Sequence, residues 1–490
     1  MASYKSPQLE FYYDISCPFA YIASTRIEAL ASRSSAKLIW RPVLLGAIYR
    51  ATAAPQGAAG SASDVFNPTK KTISAASMRR TLRRYRIPYN APPEHPRKTV
   101  DALRLLHYVS NTERPALSSA LFRAYWVDRL DVTDREVLLS IAIRSGIHSA
   151  NGLTKEVFEN LDARNSLKVA TADAIRRGTP GVPGFWIPDL IWRDSLGAER
   201  HGKLYWGQDR MHFVEASLKS WYGGGSLSKV PHLEQLMPRS IQSNKAPFKT
   251  KMEFWYDFSS PWAFLGWTQL ERIKRMYEND IEIILKPFLL GALFKQIGAP
   301  MLPMMAVSNQ KRSYMNQDLS DWVSFWNAVN EQQGYREKPI NFQWPTVFPI
   351  RSPTLLRCAI VDQSCIPLLY HACWEANANV SDLSVLAGVL DNGGYQGLDL
   401  IQKASTPQIK DILRQNTQEA LDLGICGVPS YRVFRRAPNG SFAEAGGTIW
   451  GQDETAIVED LISGWEEESC TTIADIGDEH LSKYSMVSRL

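Results

Sequence analysis

This 490-residue chain predicts two tandem α/β domains, each built on a sheet opened by a βαβ unit and carrying an inserted all-helical lobe. Three observations lead there. The stretch from Glu10 to Ala23 reads as a β-rich apolar run that breaks at Asp14-Ile15-Ser16-Cys17-Pro18 and continues with helical patterning. It returns from Glu253 to Phe264, with nine identities over the 22 positions counted from Leu9 and from Met252. Later landmarks recur in the same order: Pro42 to Ala47 against Pro287 to Ala292, Gly181-Val182-Pro183 against Gly427-Val428-Pro429, and Trp206-Gly207-Gln208-Asp209 against Trp450-Gly451-Gln452-Asp453. Offsets of 243, 245, 246 and 244 residues mark a duplication.

Copy one spans 8–222. Strand sequence from Leu9 to Asp14, helix from Pro18 to Ala31 and strand from Lys37 to Pro42 give a βαβ start whose strands are parallel. Ala51 to Ser63, poor in large apolar residues, reads as a mobile loop, and 72–177 reads as the helical lobe. After Pro183 come strands at Phe185 to Ile187 and Leu204 to Trp206, then a helix from Asp209 to Trp221. The Gly-, Ser- and Pro-containing stretch 223–249 is the linker. Copy two spans 250–465 with its lobe at 308–424, and 466–490 is a polar tail. The lobes are rich in aromatics, including Tyr125, Trp126, Trp322, Phe325, Trp326 and Trp374; these read as core, with a few available to an apolar pocket.

A formal net charge of +5 over this length, without a long basic tract, disfavours nucleic acid as a partner. The densest basic stretch, Arg79 to Arg86, reads as a solvated helix face, with an anion site as the alternative. Six cysteines form no Cys-x-x-Cys pair, which suits a reducing compartment without a disulfide framework. Cys358, Cys365, His371 and Cys373 match no zinc spacing and read as core; no metal site is expected. No apolar run approaches the ~18 residues of a membrane span, and no presequence is recognisable. Ser488-Arg489-Leu490 is a conservative variant of the peroxisomal tripeptide. The expectation is a peroxisomal protein read by the import receptor, and a cytoplasmic one if the tripeptide is incidental.

Cys17 is placed at a strand-to-helix turn with Pro18 at the first helical position, where backbone N–H groups favour an anion such as a thiolate. Together, Asp-x-x-Ser/Cys-Pro-aromatic, Pro-x-Leu-Leu-Gly, Gly-Val-Pro and Trp-Gly-Gln-Asp-Arg resemble the kappa-class glutathione transferases and 2-hydroxychromene-2-carboxylate isomerases, which share a DsbA-like, helix-inserted thioredoxin fold. The resemblance implies glutathione as cosubstrate. It implies that Cys17 in copy one and Ser260 in copy two act on the glutathione sulfur. Pro183 and Pro429 would be cis, leaving the backbone of Val182 and Val428 to pair with the cysteinyl unit. Gln208, Asp209 and Arg210 in copy one, and Gln452 and Asp453 in copy two, would hold the γ-glutamyl group.

Two departures stand out. Glu454 replaces the cation found at Arg210, and the loops Thr52 to Pro55 and Ile297 to Pro300 lack the family's Asn. Ala20 and Ala263 stand where a resolving cysteine would, which excludes two-cysteine disulfide exchange. The first reading is a glutathione-dependent isomerase or transferase acting on an apolar, aromatic or enone-type electrophile. Alternatives are a binding or structural protein that has lost one or both glutathione sites, and a monothiol redox protein using Cys17. The family's homodimers also imply that the two copies pack as an internal pseudo-dimer.

Overall fold

The computed structural model describes residues 6–56, 65–147, 153–194 and 197–467. The tail with Ser488-Arg489-Leu490, Cys470 and most of the predicted mobile loop lie outside the described residues.

Copy one runs β1 (Gln8–Tyr13), α1 (Pro18–Ser24), α2 (Ile27–Arg33), β2 (Lys37–Pro42) and α3 (Leu45–Ala51). Its lobe holds α4 (Pro68–Arg84), α5 (Val100–Tyr108), α6 (Arg114–Trp126), α7 (Arg135–Arg144) and α8 (Leu161–Arg176), and β3 (Gly184–Arg193), β4 (Glu199–Trp206) and α9 (Met211–Ser220) close it. Strand order is β2-β1-β3-β4, with β1 and β2 parallel and the other pairs antiparallel. Alternate β1 residues Leu9, Phe11 and Tyr13 are fully buried, and Phe11 stacks on Tyr13 and Phe185. The single helix expected over Pro18 to Ala31 is two. The Ser24 and Thr25 hydroxyls bond back to Tyr21 O and Ile22 O, and the chain bends at Arg26, which turns its guanidinium to Gln208.

Copy two repeats this with β5 (Thr250–Tyr256), α10 (Pro261–Thr268), α11 (Leu270–Tyr277), β6 (Ile281–Pro287) and α12 (Leu290–Ile297). Its lobe contains α13 (Asn309–Gln333), α14 (Pro353–Val361), α15 (Ile366–Trp374), α16 (Leu383–Asn392), α17 (Gly397–Ala404) and α18 (Pro407–Asp422); β7 (Ser430–Arg436), β8 (Phe442–Trp450) and α19 (Thr455–Ile462) follow. The sheet order β6-β5-β7-β8 matches copy one.

Long lobe helices lie against the sheet of the opposite copy. On α13, Gln317 Nε2 donates to Leu204 O at 2.8 Å and Asp321 pairs with Lys203 of β4. On α4, Arg80 Nη2 donates to Gly446 O and Thr448 O of β8, and Arg84 Nη2 to Asp460 Oδ2 at 2.6 Å. The basic stretch is therefore no solvated face: Arg80 and Arg84 are buried donors between the copies, because edge carbonyls and a buried carboxylate need them there. The linker is docked as well. Val230 and Leu233 are buried, Gln332 Nε2 caps Ser228 O and Val230 O, and Asp460 accepts from Ser240 N and Ile241 N. Among the described residues no helix is long and apolar enough to cross a membrane, and no cluster of His, Cys, Asp and Glu could hold a metal.

Candidate functional site

Each copy's turn ahead of the first proline is organised by a buried aspartate. In copy two, Asp257 Oδ1 accepts from Ser259 N and Oδ2 from Leu290 N, both at 2.9 Å. In copy one, Asp14 accepts from Ser16 N at 3.0 Å, Leu45 N at 2.9 Å and Thr99 Oγ1 at 2.7 Å. One carboxylate thus ties the turn to the helix after the second strand; burial raises both aspartate pKa values although these donors oppose it. The lobe clamps the same turns, with Trp126 Nε1 donating to Ile15 O at 2.8 Å and Trp374 Nε1 to Phe258 O at 2.9 Å.

Ser260 is the N-cap of α10, its Oγ accepting from Ala263 N at 3.3 Å. The hydroxyl proton is left to donate elsewhere. Facing it, the Val428–Pro429 peptide is cis, as is Val182–Pro183 in copy one. Gly266 lets α10 lie on that rim: a Cβ there would come within 2.9 Å of Pro429 Cγ and 2.7 Å of Tyr431 Oη. Ser260 and Val428 line a cavity of about 330 Å³. Its other walls are mostly apolar, from Trp262, Phe294, the methionines of the loop after α12, Met315 and Trp450, with Phe66 and Lys70 contributed by copy one. The lobe aromatics named from the sequence are buried in the core. The cavity takes its rings instead from α10, α12, the loops and the end of β8.

A second cavity of about 60 Å³ shares Trp262, Met315, Val428 and Trp450 with the first. It ends on Gln452 and Asp453 of copy two, Asp318 of α13 and Arg210 of copy one. Gln452 Nε2 and Oε1 are buried without a hydrogen-bond partner. Arg210 Nη1 donates to Asp453 Oδ2 at 3.1 Å. The cation that Glu454 removes from copy two is thus supplied across the interface by Arg210.

Copy one is arranged differently. Cys17 is only 5% exposed and its Sγ donates to Val182 O at 3.2 Å, so thiol and cis-proline backbone satisfy each other. Burial pushes the Cys17 thiol up to about 12, outweighing the lowering effect of the Ala20 and Phe19 amides. The thiolate-favouring position expected from the helix start is overruled by desolvation. Gln208 is engaged as well, its Oε1 taking Arg26 Nη2 at 2.6 Å, and Tyr314 of copy two occupies Trp206 N at 2.8 Å. Arg210, expected to serve the γ-glutamyl group with Gln208 and Asp209, pairs with Asp209, Asp318 and Asp453 and opens on copy two's cavity. The structure therefore lines two adjoining cavities with Ser260 and Val428 in one and Val428, Gln452, Asp453 and Arg210 in the other, with cis Pro429 following Val428, and closes Cys17 and Val182 on each other.

Sequence reading missed Lys70 and Lys311, which line the larger cavity from opposite copies. Burial lowers both to about 7, and repulsion from Lys70 adds to the lowering of Lys311. A signal existed: each lysine stands three residues after its helix N-cap, Asn67 or Ser308, in both copies.

The family model described as a DSBA-like thioredoxin domain matches residues 8–219 and 251–463. Glutathione S-transferase kappa 2 of Caenorhabditis elegans is 23% identical over 219 residues, covering 44% of this chain and 93% of the relative. The 2-hydroxychromene-2-carboxylate isomerase of Sphingobium xenophagum is 24% identical over 210 residues, covering 43% and 97%. Glutathione S-transferase kappa 1 of Rattus norvegicus is 25% identical over 229 residues, covering 44% and 92%. Each relative thus spans less than half of this chain, the length of one copy.

Proposed function

The chain belongs to the family of DSBA-like thioredoxin domains, in two copies, and from that premise we propose that it is a glutathione-dependent isomerase or transferase with its working site in copy two. Relatives named as a kappa glutathione transferase and as an isomerase support a thiol-related enzymatic activity. The observation that carries the reading is the pair of adjoining cavities that share Val428. One leads to Ser260 and an apolar chamber, the other to a head of mixed charge with an unsatisfied Gln452. An orphaned amide beside two carboxylates and a guanidinium fits a zwitterionic γ-glutamyl head, and a tripeptide laid over Val428 would reach both ends.

In this reading Asp453 and Asp318 hold the ammonium, Arg210 and Gln452 the carboxylate, and the Val428 backbone the cysteinyl unit. Bound glutathione supplies a thiolate, its proton released to solvent, whose sulfur adds to an electrophilic carbon; the displaced electron pair leaves with the halide of an aryl halide or is protonated from solvent at an enone. Ser260 donates a hydrogen bond from its hydroxyl to that sulfur while the first amides of α10 favour negative charge there. Trp262, Phe294 and Met315 seat an apolar electrophile and keep water from it. Copy one acts as the wall and the source of Arg210 and Lys70, the two halves working as an internal pseudo-dimer. Rates with a reactive aryl halide and with an enone, measured with and without glutathione, test this; absence of thiol dependence for both substrates rejects it.

A further inference from the structure

Cys426 stands three residues ahead of Pro429 and lines the larger cavity with Ser260; Pro180 holds the corresponding position in copy one. Lys70 reaches the same cavity from α4 of the other half and is 7% exposed. Its Nζ lies 4.3 Å from the Phe66 ring centroid and 5.2 Å from that of Trp450. Trp450 also covers the residue after Cys426, since a Cβ on Gly427 would come within 2.7 Å of Trp450 Nε1. The backbone beside the thiol and the Lys70 amine thus border one indole, and thiol and amine line one cavity. Among the described residues Lys70 Nζ meets aromatic faces and no hydrogen-bond acceptor or carboxylate.

We propose that Cys426 is the redox-modifiable thiol of this protein, exchanging with glutathione disulfide inside the copy-two cavity with Lys70 as proton carrier. The Lys70 amine takes the Cys426 proton, and the thiolate attacks one sulfur of glutathione disulfide. That S–S bond breaks as the Cys426–glutathione disulfide forms. The departing glutathione thiolate takes the proton from the Lys70 ammonium and leaves as glutathione. One disulfide is consumed and one is made, with glutathione disulfide as the oxidant.

Lys70 suits the role because burial lowers it to about 7, so amine and ammonium forms coexist near neutrality. The titratable groups facing it among the described residues are Cys426, ahead of β7, and Lys311, on α13. Of the described thiols only Cys426 lines this cavity, and Cys17 is taken up by Val182 O. A glutathionyl group on Cys426 would fill the chamber beside Ser260, making oxidation an off-switch for whatever binds there.

The full-length protein is incubated with glutathione disulfide and, separately, with a neutral pyridyl disulfide, and modified cysteines are mapped by peptide mass spectrometry. A glutathione-sized mass increase should appear on Cys426, vanish in Cys426→Ser and persist in Cys17→Ser. Lys70→Met should slow the modification on the order of 10²-fold at pH 7 and move its rate from a plateau near neutrality to a steady rise with alkalinity. Pyridyl disulfide labelling of Cys426 without glutathionylation overturns the glutathione disulfide step. Modification of Cys17 instead, or an unchanged pH profile in Lys70→Met, overturns the site. Adduct formation needs no thiol-addition activity, so a chain inert to aryl halides yet modified at Cys426 loses the proposed function and keeps this inference.

Discussion

Arg210 of copy one donates from Nε and Nη2 to the two carboxylate oxygens of Asp318 in copy two, at 2.6 and 2.9 Å, both side chains buried. The matching contact on the other side of the interface is neutral on one partner, Ser77 Oγ donating to Glu454 Oε1 at 2.9 Å. The two sides of the interface therefore carry different charges, an ion pair on one and a hydroxyl–carboxylate bond on the other.

Removing one partner of a buried pair strands the other. Arg210→Leu or Asp318→Leu should each cost about 3–5 kcal/mol, read as a lowered urea midpoint, while the double variant should cost less than their sum. Additive losses would mean the two side chains do not depend on each other.

Ser260→Ala removes an N-cap and, in the proposed reaction, the hydrogen-bond donor to the glutathione sulfur. A loss of about 1 kcal/mol of stability and of about tenfold or more in kcat/KM is the expected outcome, against near-unchanged kcat/KM in Cys17→Ser. Equal losses in both variants would place working chemistry in each copy.

Gln452 and Gln208 occupy matched positions with opposite needs. Gln452→Leu deletes unsatisfied buried polar atoms, so thermal stability should hold or rise while glutathione binding, measured by titration calorimetry, weakens about tenfold. Gln208→Leu strands Arg26 and should destabilise the fold without changing that affinity.

Lys70 titrates below the ordinary lysine range when folded. Between about pH 7 and 10.5 the unfolded chain therefore holds a proton that the folded chain has shed, and stability rises with pH through this window by up to about 1.4 kcal/mol per unit. The contribution is complete above the window and lost as pH falls to its lower edge. Denaturation across these pH values should show Lys70→Met without that part of the slope.

Much of this was legible in local pattern. The two βαβ openings, the lobes and the proline rims follow from strand and helix periodicity, from Pro at helix starts and from repetition at one offset, all of which act over a few residues. The roles of Asp14 and Asp257 were harder to see, although both stand in the motif itself, because the amides they receive lie more than thirty residues away at Leu45 and Leu290. Arg80 and Arg84 looked like a wet face since the carbonyls and the carboxylate that receive them belong to the other copy.

By itself the sequence determined the duplication, the fold of each copy and the places where helix ends meet prolines, because those are written in neighbours along the chain. Only the tertiary structure decided that an apolar chamber opens at Ser260 in copy two. Burial raised the Cys17 thiol, a backbone carbonyl took it up, and Arg210 and Lys70 crossed over to serve the cavity at Ser260. Desolvation and cross-copy contacts depend on atoms hundreds of residues apart, and no local pattern encodes them.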